Sequence, residues 1–155
     1  MRQPVTALLR AVGEGDGEAA EQLWRAVYQE LRQIARRQMA CEPPGHTLQP
    51  TALVHEVWVR LFGSECFSFQ NRRHFFSAAA HAMRELRVES ARKRKRQKRG
   101  GSAGRVPLEG NEPVFEDDAH EVLAVSEALE QLATIDKRKA EVVMLRYFAG
   151  LTVEE

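Results

Sequence analysis

The sequence predicts an all-α protein, and two observations carry that expectation. Wherever the apolar residues keep a clear period it is the helical one, and residues suited to opening or closing helices stand at the edges of those stretches. The 155 residues divide into a helical domain over 1–99, a flexible linker over 100–117 and a partial helical unit over 118–155 that reads as an incomplete helix-turn-helix. A chain of this length can bury one ordinary core or two small ones.

The first helix follows Gly13, Gly15 and Gly17, with Asp16 placed to cap it, and carries the stripe Ala20, Leu23, Trp24, Val27, Leu31, Ile34 and Ala35. It stops near Cys41, ahead of Pro43-Pro44-Gly45. Pro50 opens the second helix, since a first-turn proline forfeits no hydrogen bond. Its stripe is Val54, Val57, Trp58, Leu61 and Phe62, and Gly63 ends it. After a loop with Phe67 and Phe69, Asn71 caps a third helix over 72–99 whose stripe is Phe76, Ala79, Ala80 and Met83, with Phe75 and Leu86 at its edge. Three helices with complementary apolar faces make one compact domain.

Gly100-Gly101-Ser102-Ala103-Gly104 interrupts the pattern, and the stretch up to residue 117 has glycine, proline and acids but no period, as a linker does. Beyond it Asp118, with Glu121, is placed to cap a helix with the stripe Val122, Val125, Leu129 and Leu132. Asp136 caps another, with Ala140, Val143, Met144, Tyr147 and Phe148 facing inward. Gly150 suits the left-handed position after a helix end, and Thr152 with Glu155 has the spacing of a capping box. The expectation is therefore a helix-turn-helix whose second helix is announced and not supplied, with part of its core left to be covered.

Net charge is +1, but its distribution is polarised. Residues 84–99 hold nine Arg or Lys against Glu85 and Glu89, whereas residues 109–121 hold six acids and no base. One end of the molecule should attract polyanions. Cys41 and Cys66 form no CxxC pair and no secretory leader precedes them, so a reduced, cytoplasmic protein is expected. No apolar run approaches the roughly 18 to 20 residues that span a bilayer, and no membrane partner is expected.

Catalytic and metal readings fail on the residues. His55-Glu56 lacks the second histidine of a zinc-protease helix because position 59 is Val. Gly13-x-Gly15-x-Gly17 follows no strand, Cys41 and His46 have no second ligand pair, and His74 and His81 suit solvated helix positions. No nucleophile stands beside a base in a known local signature, so neither an enzyme nor a cofactor is expected.

The basic helix gives the strongest signal. Its apolar stripe runs out near Leu86, after which the core-facing positions are Arg87, Ser90 and Arg94, so it is expected to project past the domain or run along something charged. Arg72, Arg73 and His74 stand in its first turn, where the macrodipole disfavours positive charge. Phe67 and Phe69 are either core residues or platforms for unpaired bases. The second helix carries Ala52, Glu56, Val59 and Arg60 opposite its core stripe, with His55 at the flank, which is either a docking surface or an ordinary exposed face.

Three blocks give a resemblance. His46-Thr47-Leu48-Gln49-Pro50-Thr51-Ala52-Leu53-Val54-His55-Glu56, Gln70-Asn71-Arg72-Arg73-His74-Phe75-Phe76-Ser77-Ala78-Ala79-Ala80 and the final eleven residues from Leu145 resemble the extracytoplasmic-function (ECF) sigma factors of bacterial RNA polymerase, and among them the ECF-like subgroup. The resemblance covers nearly the whole chain. It implies a sigma region 2 domain that docks on core RNA polymerase through its second helix, and engages the minus-10 promoter DNA through its third helix and the loop before it. It further implies a linker and a region 4, here truncated before the recognition helix, and it allows an anti-sigma factor as a further partner.

Carried onto this sequence, the polymerase-binding residues are Thr51, Ala52, His55, Glu56 and Val59. The DNA-binding residues are Asn71, Arg72, Arg73, His74, Arg84, Arg87, Arg92, Lys93, Arg94, Lys95 and Arg96. The chain departs from the family pattern where Gln49, Thr51 and Ala52 replace the acids that many members carry at the start of the docking helix, and where Glu89-Ser90 stands in place of Asp-His. The alternative reading is a helical adaptor that binds nucleic acid through the same basic helix without polymerase.

Overall fold

In a computed structural model the described residues, 4–40, 48–63, 68–100 and 115–150, are helical with no strand among them; side chains over 97–100 and 115–121 are not described. In chain order the helices are α1 (Val5–Gly13), α2 (Gly17–Gln38), α3 (Pro50–Phe62), α4 (Arg72–Gly100), α5 (Phe115–Ile135) and α6 (Lys137–Val143), and α6 runs directly into a π-helical turn, Met144–Phe148. Cys41, His46, Cys66, Phe67, most of the expected linker and the Thr152–Glu155 pair lie outside the described residues.

The caps form as their residue types require. The Asp16 carboxylate accepts from the amides of Glu18 and Ala19 at 3.0 and 3.1 Å, and Asp136 accepts from Lys139 N at 3.1 Å, each satisfying donors that a helix start leaves open. Pro50 occupies the first turn of α3. α1, which the periodicity did not reveal, begins behind Pro4, whose carbonyl accepts from Ala7 N at 2.9 Å. It brings Leu8 and Leu9 into the core, at 3% exposure each.

That core is built by α1, α2, α3 and the first half of α4. Leu23, Val27, Leu31, Leu53, Val54, Val57, Phe75, Ala79 and Met83 lose all contact with solvent, each larger side chain contributing on the order of 1.5 to 3 kcal/mol by burial. The α2, α3 and α4 stripes meet there because each repeats at the helical period. An aromatic chain runs through the same region, from Trp24 to Trp58 (centroids 4.7 Å apart), on to Phe62 (4.2 Å) and then to Phe75 (6.0 Å).

Beyond Leu86, α4 does not project bare. Val88 and Ala91 are buried, and α5 packs against α4, with Arg84 bonded to Ser126. The buried face thus turns from Ser90 and Arg94 towards Val88 and Ala91, because a second helix supplies apolar surface on that side. Arg87 is buried as expected of a core-facing position.

Three details of the C-terminal segment differ from the periodicity. α5 starts at Phe115, three residues before Asp118. Among its described side chains Ser126 and Leu129 are buried, with Val125 exposed. Tyr147 is 69% exposed while Ala149 is buried. The last difference has a direct cause: Ala149 N donates to Met144 O at 3.1 Å, a five-residue spacing that puts one extra residue in the turn, so that Tyr147 falls short of the inward face and Ala149 moves towards the position the α-period assigns to Phe148. Ala149 thereby joins the main core cluster. Gln38 of α2 donates to Ala80 O of α4 at 3.2 Å, and Phe148 O lies at 3.5 Å from the same nitrogen. Gly150 adopts φ +72°, the left-handed conformation that glycine adopts without a Cβ penalty.

Candidate functional site

Two surfaces meet along α3 and α4. In α3, Leu53, Val54 and Val57 point into the core, and the helical period therefore sends Thr51, Ala52, His55, Glu56 and Val59 outward, where all five are exposed. Val59 is 68% exposed, a large apolar side chain offered to solvent. It borders an open groove of about 440 Å³ lined by His55, Glu56, Val59, Arg60 and Leu86. His55 is not loose: its ring lies 5.2 Å from Trp24 and 6.5 Å from Tyr28.

α4 opens on a reciprocal cap. Asn71 Oδ1 accepts from His74 N at 2.9 Å while His74 Nδ1 accepts from Gln70 N at 3.2 Å. This gives His74 a structural task at the helix start, and Phe69 packs edge-on against its ring at 5.5 Å. Phe69 is half-buried and also packs against Phe62 and Phe75, so it belongs to the aromatic chain. Arg72, placed against the macrodipole, pairs with Glu30 of α2 and lies 5.0 Å over the Phe76 ring; both contacts offset the unfavourable position. Arg73 is exposed.

Along α4 the remaining cations separate into two groups. Arg84 is half-buried and donates to Ser126 Oγ of α5 at 3.3 Å. Arg87 is only 8% exposed, and Arg94 and Lys95 are half-buried. Arg92, Lys93 and Arg96 stand in solvent. The structure therefore brings Asn71, Arg72, Arg73 and His74 together at one end of α4 and Arg92, Lys93 and Arg96 near the other. Arg84 and Arg87, between them in sequence, turn towards the protein.

The sequence reading did not anticipate what holds the two surfaces to each other. Arg60, on the outer side of α3, reaches Glu89 with Nη2 at 3.0 and 3.2 Å and Glu85 with Nη1 at 3.5 Å. Both acids are visible in the sequence as the counter-charges of a basic run, but their partner lies 25 and 29 residues away. Glu141 of α6 is likewise shared, 3.3 Å from His81 Nε2 and 3.5 Å from Ser77 Oγ. Among the described residues no cluster of three or more His, Cys, Asp or Glu could hold a metal ion, and no helix is long and apolar enough to cross a membrane.

The described residues form a helical protein with an outward apolar-acidic face on one helix and solvent-facing cations along its neighbour. The family model described as ECF sigma factor matches residues 2–155, and the chain belongs to that family. It is thereby a sigma factor of the sigma-70 class with a role in transcription initiation, in a family of non-enzymatic transcription regulators. Comparison with curated proteins and with solved structures gave no match.

Proposed function

We propose that this sigma factor docks on core RNA polymerase through the outer face of α3 and engages the minus-10 region of promoter DNA along α4. The observation that carries the reading is Val59, whose exposed side chain borders an apolar groove while Glu56 and His55 flank it. Covering an apolar side chain and pairing a carboxylate with a partner cation each contribute on the order of 1 to 3 kcal/mol. The DNA side is supported by the solvent-facing Arg92, Lys93 and Arg96, and by Arg73 at the start of the same helix. Mobile cations in solvent meet phosphates without the desolvation cost of a buried charge. An anti-sigma factor, if one acts on this chain, would compete for one of these two faces.

The test is copurification of the full chain with core polymerase. Glu56→Arg combined with Val59→Asp should abolish it while leaving the helical circular dichroism unchanged, because both side chains point away from the core. Retained binding by the folded double variant would refute docking through α3. Nucleic-acid binding by a chain that never copurifies with polymerase would favour an adaptor acting alone.

A further inference from the structure

We infer that Arg60 is a positioning residue for DNA engagement: from α3 it neutralises Glu85 and Glu89, the only two acids of α4, and so lets the exposed cations of that helix act on phosphates. The inference rests on the reading of α4 as the DNA-engaging helix. Its geometry is independent of that reading. Glu85 and Glu89 are four residues apart, and Arg92, Lys93 and Arg96 follow Glu89 at three, four and seven residues, so acids and cations share one side of the helix. Both carboxylates are more than half exposed, and an uncompensated carboxylate there faces any polyanion that approaches Arg92 and Arg96.

A single guanidinium answers both. The 3.0 and 3.2 Å contacts place Nη2 between the two oxygens of Glu89, and Nη1 extends to Glu85 at 3.5 Å. Only a planar fork with several donors reaches two acids one helical turn apart in this way. Stability does not account for such a contact, since ion pairs between half-exposed side chains contribute little to folding. Its larger effect is on the field outside the helix. The exposed cations on the same side of α4, Arg92, Lys93 and Arg96, are the ones proposed to meet phosphate, and were they to turn back onto Glu85 and Glu89 they would be lost to DNA. Arg60 holds the acids from the opposite side and leaves those cations outward.

The mutational cycle tests this with the full chain and DNA-cellulose, reading the salt concentration at elution. Arg60→Gln should elute at lower salt and weaken binding to a mixed-sequence duplex roughly threefold per unmasked carboxylate at low ionic strength, fading as the Debye length shrinks. Glu85→Gln with Glu89→Gln should restore elution in the Arg60→Gln background. In that neutralised background Arg60 itself should no longer matter. Arg60→Lys, which keeps the charge, should fall between wild type and Arg60→Gln, and circular dichroism checks folding throughout. An equal loss on removing Arg60 in both backgrounds would make it a direct phosphate contact and overturn the inference. Loss that persists after both acids are neutralised, accompanied by a lower unfolding midpoint, would make it a structural brace and also overturn it. If the wild-type chain shows no salt-dependent retention, while Arg92→Ala with Arg96→Ala changes nothing, the DNA reading of α4 falls and this inference falls with it.

Discussion

The Arg84 guanidinium donates to the Ser126 hydroxyl at 3.3 Å, joining α4 to α5 through a residue that is 5% exposed. A cation of the basic helix is thus committed to the interior face of the molecule rather than to solvent. Family resemblance assigns Arg84 and Arg87 to DNA alongside Arg92 and Arg96, but burial divides the four. On the proposed DNA reading of α4, either the outer pair alone meets phosphate or α5 must move before the inner pair can take part.

That division is measurable through salt dependence. If the four outer cations Arg73, Arg92, Lys93 and Arg96 neutralise phosphates, the log-log slope of affinity against salt is roughly −2.8 to −3.6. Replacing Arg92, Lys93 and Arg96 by Ala should flatten the slope by about 2 to 3, whereas Arg84→Ala should leave it within about 0.5 and lower the unfolding midpoint instead. Measurement belongs in the polymerase complex, by fluorescence anisotropy over a salt series. A steeper effect from Arg84 than from Arg92 would show that α5 leaves α4 on binding.

Gln38 makes a second prediction, because its Nε2 donates to Ala80 O while its buried Oε1 meets no hydrogen-bond partner among the described residues. Flipping the amide gains nothing, since Ala80 O and Phe148 O are both acceptors. Gln38→Leu removes a donor and an unpaired acceptor together and should change stability by less than about 1 kcal/mol. Gln38→Glu replaces the donor by a charge facing two carbonyls and should cost at least about 2 kcal/mol in urea unfolding at neutral pH.

At Gly150 the expectation concerns backbone strain separated from crowding. A Cβ there would lie 1.2 Å from Arg37 Nη1, a flexible terminus that can move away, but φ +72° stays unfavourable for any side chain. Gly150→Ala should therefore destabilise by about 1 kcal/mol, and adding Arg37→Ala should recover little of it. Full recovery in the double variant would assign the cost to the contact rather than to the dihedral.

The core is the plainest case. Leu23→Ala should cost about 2 to 5 kcal/mol, since the residue is wholly enclosed in the main core cluster. Val59→Ala should stay within about 0.5 kcal/mol. Equal losses would mean that the outer face of α3 is covered in the free protein.

What the sequence conveyed follows from how local each determinant is. Asp16, Asn71 and Asp136 cap as expected because a cap is settled within three residues, and the inward stripes of α2 and α3 follow from one period. α1 escaped notice because its nine residues give only about two and a half turns of pattern. The burial of Val88 and Ala91 depends on α5, some thirty residues further on, and no window along α4 contains it. The outward turn of Tyr147 depends on the π-helical turn Met144–Phe148. Among the candidate site residues, those of α3 were all placed outward as the period requires, whereas the cations of α4 were sorted by a neighbour that composition does not reveal.

The aromatic chain has a spectroscopic consequence. Trp24 and Trp58 are the two tryptophans of the protein, they touch each other, and Trp24 also touches the exposed His55 ring. All indole emission therefore originates between α2 and α3, next to an imidazole whose protonated form quenches neighbouring indoles. A partner settling on the α3 face would alter that emission without any added label. The chain thus carries its own optical probe of the outer face of α3.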